Sequence, residues 1–190
     1  HTAYVKAKQM KLLVDDLFEY TKVRQPSVPI HTTTFDMAQL IEQLAADFEL
    51  EAKKINMQIQ VKANPASLMM EGDTEKLVRV FNNLLSNALK YGKGGHHIVM
   101  EVDKVGTEAI IAVRNDGPAI PKHSLDQLFD RFYRVEESRS QETGGTGLGL
   151  AIAQSIVALH GGYIYAKSDQ KWTSFIIHLP LQRTNKKSES

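Results

Sequence analysis

Asn83, Asn87, Lys90 and Tyr91 fall at i, i+4, i+7 and i+8 of the segment Phe81-Asn82-Asn83-Leu84-Leu85-Ser86-Asn87-Ala88-Leu89-Lys90-Tyr91. On a helix they share one face. Amide oxygens there can complete the shell of a hard cation such as magnesium without adding charge, and the lysine can pair with a phosphate. About sixty residues later, Gly145-Thr146-Gly147-Leu148-Gly149-Leu150-Ala151-Ile152 places three glycines in eight residues at the start of a second helical pattern. Bare backbone amides at a helix N terminus suit a phosphate chain. Three asparagines within the six residues 82–87 are a local cost to a helix. A face that only meets solvent gives no reason for that cost. The two segments together read as a nucleotide site built between two helices.

The glycine spacing is G-x-G-x-G. It differs from the dinucleotide-binding G-x-G-x-x-G, and polar sequence rather than a strand precedes it. No lysine followed by serine or threonine comes after it, which excludes a P-loop.

The chain of 190 residues carries a formal net charge of +1, so anion binding has to be local rather than a property of the whole surface. An apolar fraction of 42% with 24% charged residues fits a globular domain plus an appendage. With no cysteine, disulfides, thiolate metal sites and cysteine nucleophiles are excluded. No apolar run approaches the roughly 20 residues that span a bilayer, and no signal peptide is visible. The expectation is a soluble piece, and a parent protein could still be membrane-bound.

The elements that must position these groups follow from periodicity. Residues 1–24 read as one helix whose apolar stripe, Leu13, Leu17 and Tyr20 backed by Val14 and Phe18, calls for a partner helix in a bundle or dimer. Gln25 to Pro29, with two prolines, is a linker. Residues 30–181 form the main domain and 182–190 a disordered polar tail. Within the domain, Ile30 to Thr34 reads as a strand, and Asp36 caps a helix to about Ile55 with Leu40, Ile41, Leu44 and Phe48 inward. Met57 to Ala63 and Ser67 to Glu71 are strands. Asp73 caps the asparagine helix, whose buried face is Leu77, Val78, Phe81, Leu84, Leu85 and Ala88. Ile98 to Asp103 and Glu108 to Arg114 form a hairpin, and a short helix lies near Ser124 to Asp130. Glu136 to Thr143 is expected to be a mobile lid. The glycine-led helix runs to His160, followed by strands over Tyr163 to Lys167 and Thr173 to Leu179. This order predicts a two-layer α/β sandwich, with helices on one face of a mixed sheet.

Val113-Arg114-Asn115-Asp116-Gly117-Pro118-Ala119-Ile120-Pro121 follows a strand. Taken with the asparagine and glycine segments, it resembles the adenine-contacting motif of the GHKL (Bergerat-type) ATPase superfamily. Leu128-Phe129-Asp130-Arg131-Phe132-Tyr133-Arg134 narrows the resemblance to the sensor histidine kinases of two-component systems. Arg79-Val80-Phe81-Asn82-Asn83, Glu142-Thr143-Gly144-Gly145 and Ala166-Lys167-Ser168-Asp169 look similar to the vancomycin-resistance sensor kinases of Gram-positive bacteria. The resemblance covers nearly the whole chain, with residues 1–24 as the second helix of a dimerisation and phosphotransfer bundle.

That resemblance implies ATP and Mg2+ as cofactors. By it, Asn83 binds magnesium, Asn87 and Lys90 reach the phosphates, and Arg134 approaches the γ-phosphate. Asn83, Lys90 and Arg134 are then the catalytic group. Gly145, Gly147, Leu148 and Gly149 hold the phosphate chain by backbone amides, flanked by Thr146 and Leu150. Tyr91, Asn115, Gly117, Ile120, Tyr133 and Thr173 complete the nucleotide contacts. The implied partners are a response regulator, the parent's own phosphoacceptor helix and a second copy through the bundle, with no nucleic acid.

The chain departs from the family pattern at three places. Asn115 stands where the family usually has aspartate, so the bond from the adenine amine loses its charge assistance, about 1 kcal/mol. Neighbouring Asp116 should point the other way on an extended segment. Ala119 replaces a glycine, and the late glycine pair reads Gln170 and Trp172. Trp172 is expected to cover the sheet edge rather than the base.

None of the seven histidines stands in an acceptor context, with an acidic residue next and a proline soon after. His96-His97 reads as surface rather than a metal site. The expectation is therefore the ATP-binding catalytic domain of a histidine kinase, without the acceptor histidine. The alternatives are a nucleotide-binding regulatory module without catalysis, or another GHKL ATPase.

Overall fold

The computed structural model describes residues 2–25, 28–92, 94–135 and 145–182. Helix α1, Thr2–Val23, is followed by β1, Thr33–Asp36, α2, Met37–Lys54, β2, Gln58–Asn64, β3, Met69–Gly72, and α3, Thr74–Tyr91. Then come β4, His97–Val105, β5, Glu108–Asn115, the single turn α4, Lys122–Leu125, α5, Gly149–Leu159, β6, Tyr163–Ser168, and β7, Thr173–Pro180.

Five strands form the main sheet in the order β2-β4-β5-β7-β6, while β1 and β3 pair as a separate antiparallel ribbon. Only the β2–β4 pairing within the five is parallel, which makes the sheet mixed. On β5 burial alternates strictly: Ala109, Ile111, Val113 and Asn115 are buried, while Ile110, Ala112 and Arg114 face the other side. That is the period of a sheet covered on one face. The cover is α2, α3 and α5, whose Ile41, Leu44, Leu77, Phe81, Leu84, Ile152 and Ile156 merge with Met100, Ile111 and Ile177 in one core. Burying one such side chain contributes about 1.5–3 kcal/mol. The architecture is the expected two-layer α/β sandwich.

Local chemistry places the helix starts. Asp36 accepts from the N–H groups of Ala38 and Gln39, and Asp73 from Lys76, each capping orphan amides of a first turn. Asp36 also takes the Leu68 N–H at 2.9 Å, tying the start of α2 to the approach to β3.

Several details differ from the sequence reading. The first strand begins at Thr33, because pairing of Thr33–Asp36 with Gly72–Met69, not β-branching, defines it. Val80 rather than Val78 is fully buried on α3. The helix near Ser124 is one turn long, after which the chain runs in turns to Phe132. On α1, Met10, Leu13, Val14, Leu17 and Phe18 are exposed, whereas Tyr20 and Val23 pack into the α/β body. The expected lid over Glu136 to Thr143, most of the polar tail, and Pro26 and Ser27 of the linker lie outside the described residues.

Candidate functional site

Helix α3 brings its polar face to the start of α5. The Asn83 Nδ2 donates to the Gly149 carbonyl at 3.0 Å, so Oδ1 is the Asn83 atom left for another ligand. Asn87, one turn on, is half-buried on the same face. Lys90 sits with Nζ 4.8 Å from the Tyr91 ring centre, and a Cβ on Gly145 would strike that Nζ. Only glycine lets the lysine lie this close to the backbone of the loop. Asn82 lies off this face, its Oδ1 buried without a hydrogen-bond partner among the described residues.

Helix α5 starts without a side-chain cap. Its first-turn amides and the glycine loop before them point a positive dipole end toward the face that carries Asn83 and Lys90. Leu148 and Leu150 do not line this opening through their side chains: Leu148 is fully buried, and Leu150 packs against the core. What Leu148 offers the loop is its N–H, which Thr146 Oγ1 accepts at 3.2 Å. Tyr133 and Arg134 are half-buried at the end of the segment that runs from α4.

At the other end of the opening, Asn115 is 4% exposed and pairs in register with Thr173 of β7. The loop after β5 closes on the end of α3. A Cβ on Gly117 would come within 2.5 Å of the Gly92 Cα and 2.9 Å of the Asn115 Nδ2. Thr173 shares a 2.7 Å hydroxyl bond with Ser168, whose Oγ accepts the Ile120 N–H at 2.9 Å. Ser168 and Gly92 are positioning groups missing from the sequence reading. Their roles come from strand pairing and close approach, and no local pattern announces either.

Asp116 turns away from this opening, as strand alternation requires. Its Oδ1 accepts from His96 and His97 N–H at 2.7 and 2.8 Å, and its Oδ2 meets His97 Nδ1 at 2.7 Å. Burial raises its pKa, but the His97 and His96 bonds and the His97 charge outweigh that and leave it below the usual carboxylate value. Trp172 stacks under the Arg114 guanidinium, 5.0 Å from its ring centre, on the open face of the sheet. It therefore covers the sheet and not the opening. Among the described residues no cluster of three or more His, Asp or Glu side chains is arranged for a metal.

The gathered geometry is an uncapped helix start, a neutral amide face, a lysine against glycine backbone and a buried amide beside a threonine. Residues 72–183 match the family described as histidine kinase-, DNA gyrase B- and HSP90-like ATPases. The sensor protein VanS of Enterococcus faecium is 37% identical over 180 residues, covering 95% of this chain and 46% of that protein. The sensor histidine kinase WalK of Bacillus subtilis is 34% identical over 180 residues, covering 93% of this chain and 29% of that protein. The chain thus spans less than half the length of these curated relatives. The nucleotide-free catalytic domain of histidine kinase ThkA superposes with a TM-score of 0.72 at 28% identity, covering 80% of this chain and 97% of that one. ThkA in complex with the response regulator protein TrrA shares the fold at 23% identity, with a TM-score of 0.78 over 95% of this chain and 50% of that one. By the family match over residues 72–183, more than half of its length, this chain belongs to the histidine kinase-, DNA gyrase B- and HSP90-like ATPases.

Proposed function

We propose that this chain is the ATP-binding catalytic part of a sensor histidine kinase, which moves the γ-phosphate of ATP to a histidine of its own signalling protein for relay to a response regulator. The observation that carries the reading is the Asn83–Gly149 bond, which sets an amide-bearing helix across the uncapped start of a second helix.

The residues divide the nucleotide between them. Asn115 accepts from the adenine amine, with Thr173 beside it in register. Gly117, Ile120, Tyr91 and Tyr133 shape the base and ribose end, and Leu150 supports it from the core. The amides of Gly145, Thr146, Gly147, Leu148 and Gly149 receive the phosphate chain. Lys90, already against Gly145, offers its ammonium to a phosphate, and Asn87 offers its amide. Arg134 approaches the γ-phosphate.

Because Nδ2 is committed to Gly149, the Asn83 Oδ1 is the atom that would hold a magnesium ion. Bound there, magnesium would neutralise charge developing on the phosphates. The incoming imidazole nitrogen forms an N–P bond as the bond from γ-phosphorus to the bridging oxygen breaks, and ADP leaves. The chain's own contribution is to hold the phosphates in line and to keep cations beside the transferring group.

Residues 30–181 form the catalytic domain, and residues 1–24 are a helix of the dimerisation bundle. The exposed Leu13, Val14, Leu17 and Phe18 suit pairing with a second copy. No helix among the described residues is long and apolar enough to cross a membrane. Anchoring in the cell membrane would belong to the parent protein.

Two measurements test the reading. Calorimetry with ATP and excess magnesium should show one site. Labelled γ-phosphate should then appear on a bundle fragment that carries an acceptor histidine. Binding without transfer would favour a regulatory module, and an absence of binding would overturn the assignment.

A further inference from the structure

Thr146 stands between the first two glycines of the phosphate loop, and its hydroxyl is engaged on both sides. It donates to Asp16 Oδ2 of α1 at 2.6 Å and accepts the Leu148 N–H at 3.2 Å. The other Asp16 oxygen takes Arg79 Nη2 of α3 at 3.2 Å, and the Asp16 side chain is only 19% exposed. One turn later Tyr20 is buried, with the Arg131 guanidinium 5.7 Å from its ring centre. One carboxylate of a helix outside the α/β body thus joins α3 to the glycine loop.

This arrangement has two effects on an incoming anion. The Leu148 N–H, one of the amides assigned above to the phosphate chain, is occupied by Thr146 Oγ1. A hydroxyl that donates to a carboxylate is a stronger acceptor, which tightens its hold on that N–H. The negative charge of Asp16 also lies one side chain away from where a triphosphate would sit.

We propose that Asp16 is a positioning residue that sets nucleotide affinity. When α1 is seated, Asp16 holds Thr146 on the Leu148 amide, and a phosphate chain must displace it. Seating of α1 and occupancy of the site therefore oppose each other, and by linkage each weakens the other by the same factor. This rests on the nucleotide reading of the site.

The test titrates the full chain with MgATP by calorimetry. Asp16→Ala is expected to bind at least about fivefold more tightly than the parent chain. Asp16→Asn keeps the shape without the charge and should fall between the two. Glu19→Ala disturbs the 4.0 Å contact with Arg79 but not Thr146, and should leave affinity unchanged. The reciprocal readout is hydrogen exchange of the α1 amides from Asp16 to Val23. It should quicken when MgATP is added to the parent chain and be already fast in Asp16→Ala. If Asp16→Ala binds MgATP no more tightly than the parent, or Glu19→Ala tightens it equally, this inference is overturned while the nucleotide site stands. If no variant binds MgATP, both fail together.

Discussion

Phe132 and Gly147 meet backbone to backbone. The Phe132 N–H donates to the Gly147 carbonyl at 3.0 Å, and both residues sit at positive φ, 62° and 71°. A left-handed phenylalanine costs about 1 kcal/mol or more, so the surrounding contacts must hold it there. That bond fastens the Phe132-Tyr133-Arg134 segment to the glycine loop proposed to receive the phosphates. The glycine is therefore a structural joint as well as a source of amides.

Gly147→Ala should show this directly. A Cβ would lie 2.8 Å from the Phe132 Cα, and alanine is strained at φ 71°. The loop has to move away from Phe132. We expect MgATP affinity to fall roughly tenfold or more, because a displaced loop misaligns several amides at once. Thermal stability should drop by only a few degrees, since the core is untouched. Unchanged affinity by calorimetry would mean the loop tolerates the shift and does not grip the phosphates.

Asn83→Ala removes the bond to Gly149 and the oxygen assigned to the cation. The stability loss should be about 0.5–1.5 kcal/mol, that of one hydrogen bond. The binding loss should be much larger and confined to the magnesium-dependent part. Titrations with ATP in magnesium and in EDTA separate the two. If the magnesium dependence survives, the cation is held elsewhere.

The parts of this molecule that could be read in its sequence are those set by neighbours along the chain. Asp36 and Asp73 announce their helices because a cap acts within three residues. Asn83 and Lys90 share a face because helical geometry fixes it, and Asp116 turns from Asn115 because a strand alternates. What escaped the reading is long-range. The ribbon of β1 with β3 and the parallel pairing of β2 with β4 depend on register between distant segments. Ser168 became a support for Ile120 only through a bond spanning 48 residues, and Asp16 reaches Thr146 across 130. Neither bond leaves a periodic trace.

Asn115→Asp restores a charge beside the expected position of the adenine amine. The Asn115 side chain makes no hydrogen bond to another described residue, and its Nδ2 lies against the Gly92 and Gly117 backbone. A carboxylate there should accept the amine bond more strongly, by about 1 kcal/mol or roughly fivefold in affinity. The gain should vanish with inosine triphosphate, which lacks that amine. Equal gains for both nucleotides would show that the loop reads the base by other contacts.

Acid should destabilise the fold partly through Asp73. It is 3% exposed, yet it accepts from Lys76 N–H at 3.1 Å, Lys76 Nζ at 2.8 Å and His31 N–H at 3.1 Å. Burial alone would raise its pKa, but the Lys76 side chain, the Lys76 and His31 amides and the Lys76 charge together lower it. A carboxylate with a depressed folded pKa contributes stability that is present above its unfolded value, near 3.9. That contribution is lost as pH falls from there through the lower folded value. Asp73→Asn keeps the helix cap without the titration, because asparagine caps as well as aspartate. Its stability at neutral pH should therefore fall through loss of the Lys76 pair, while its stability curve flattens below about pH 4 relative to the parent chain. Urea melts from pH 7 to pH 3 measure both effects. A parent and variant that lose stability in parallel below pH 4 would show that the cap carries no pH-dependent share.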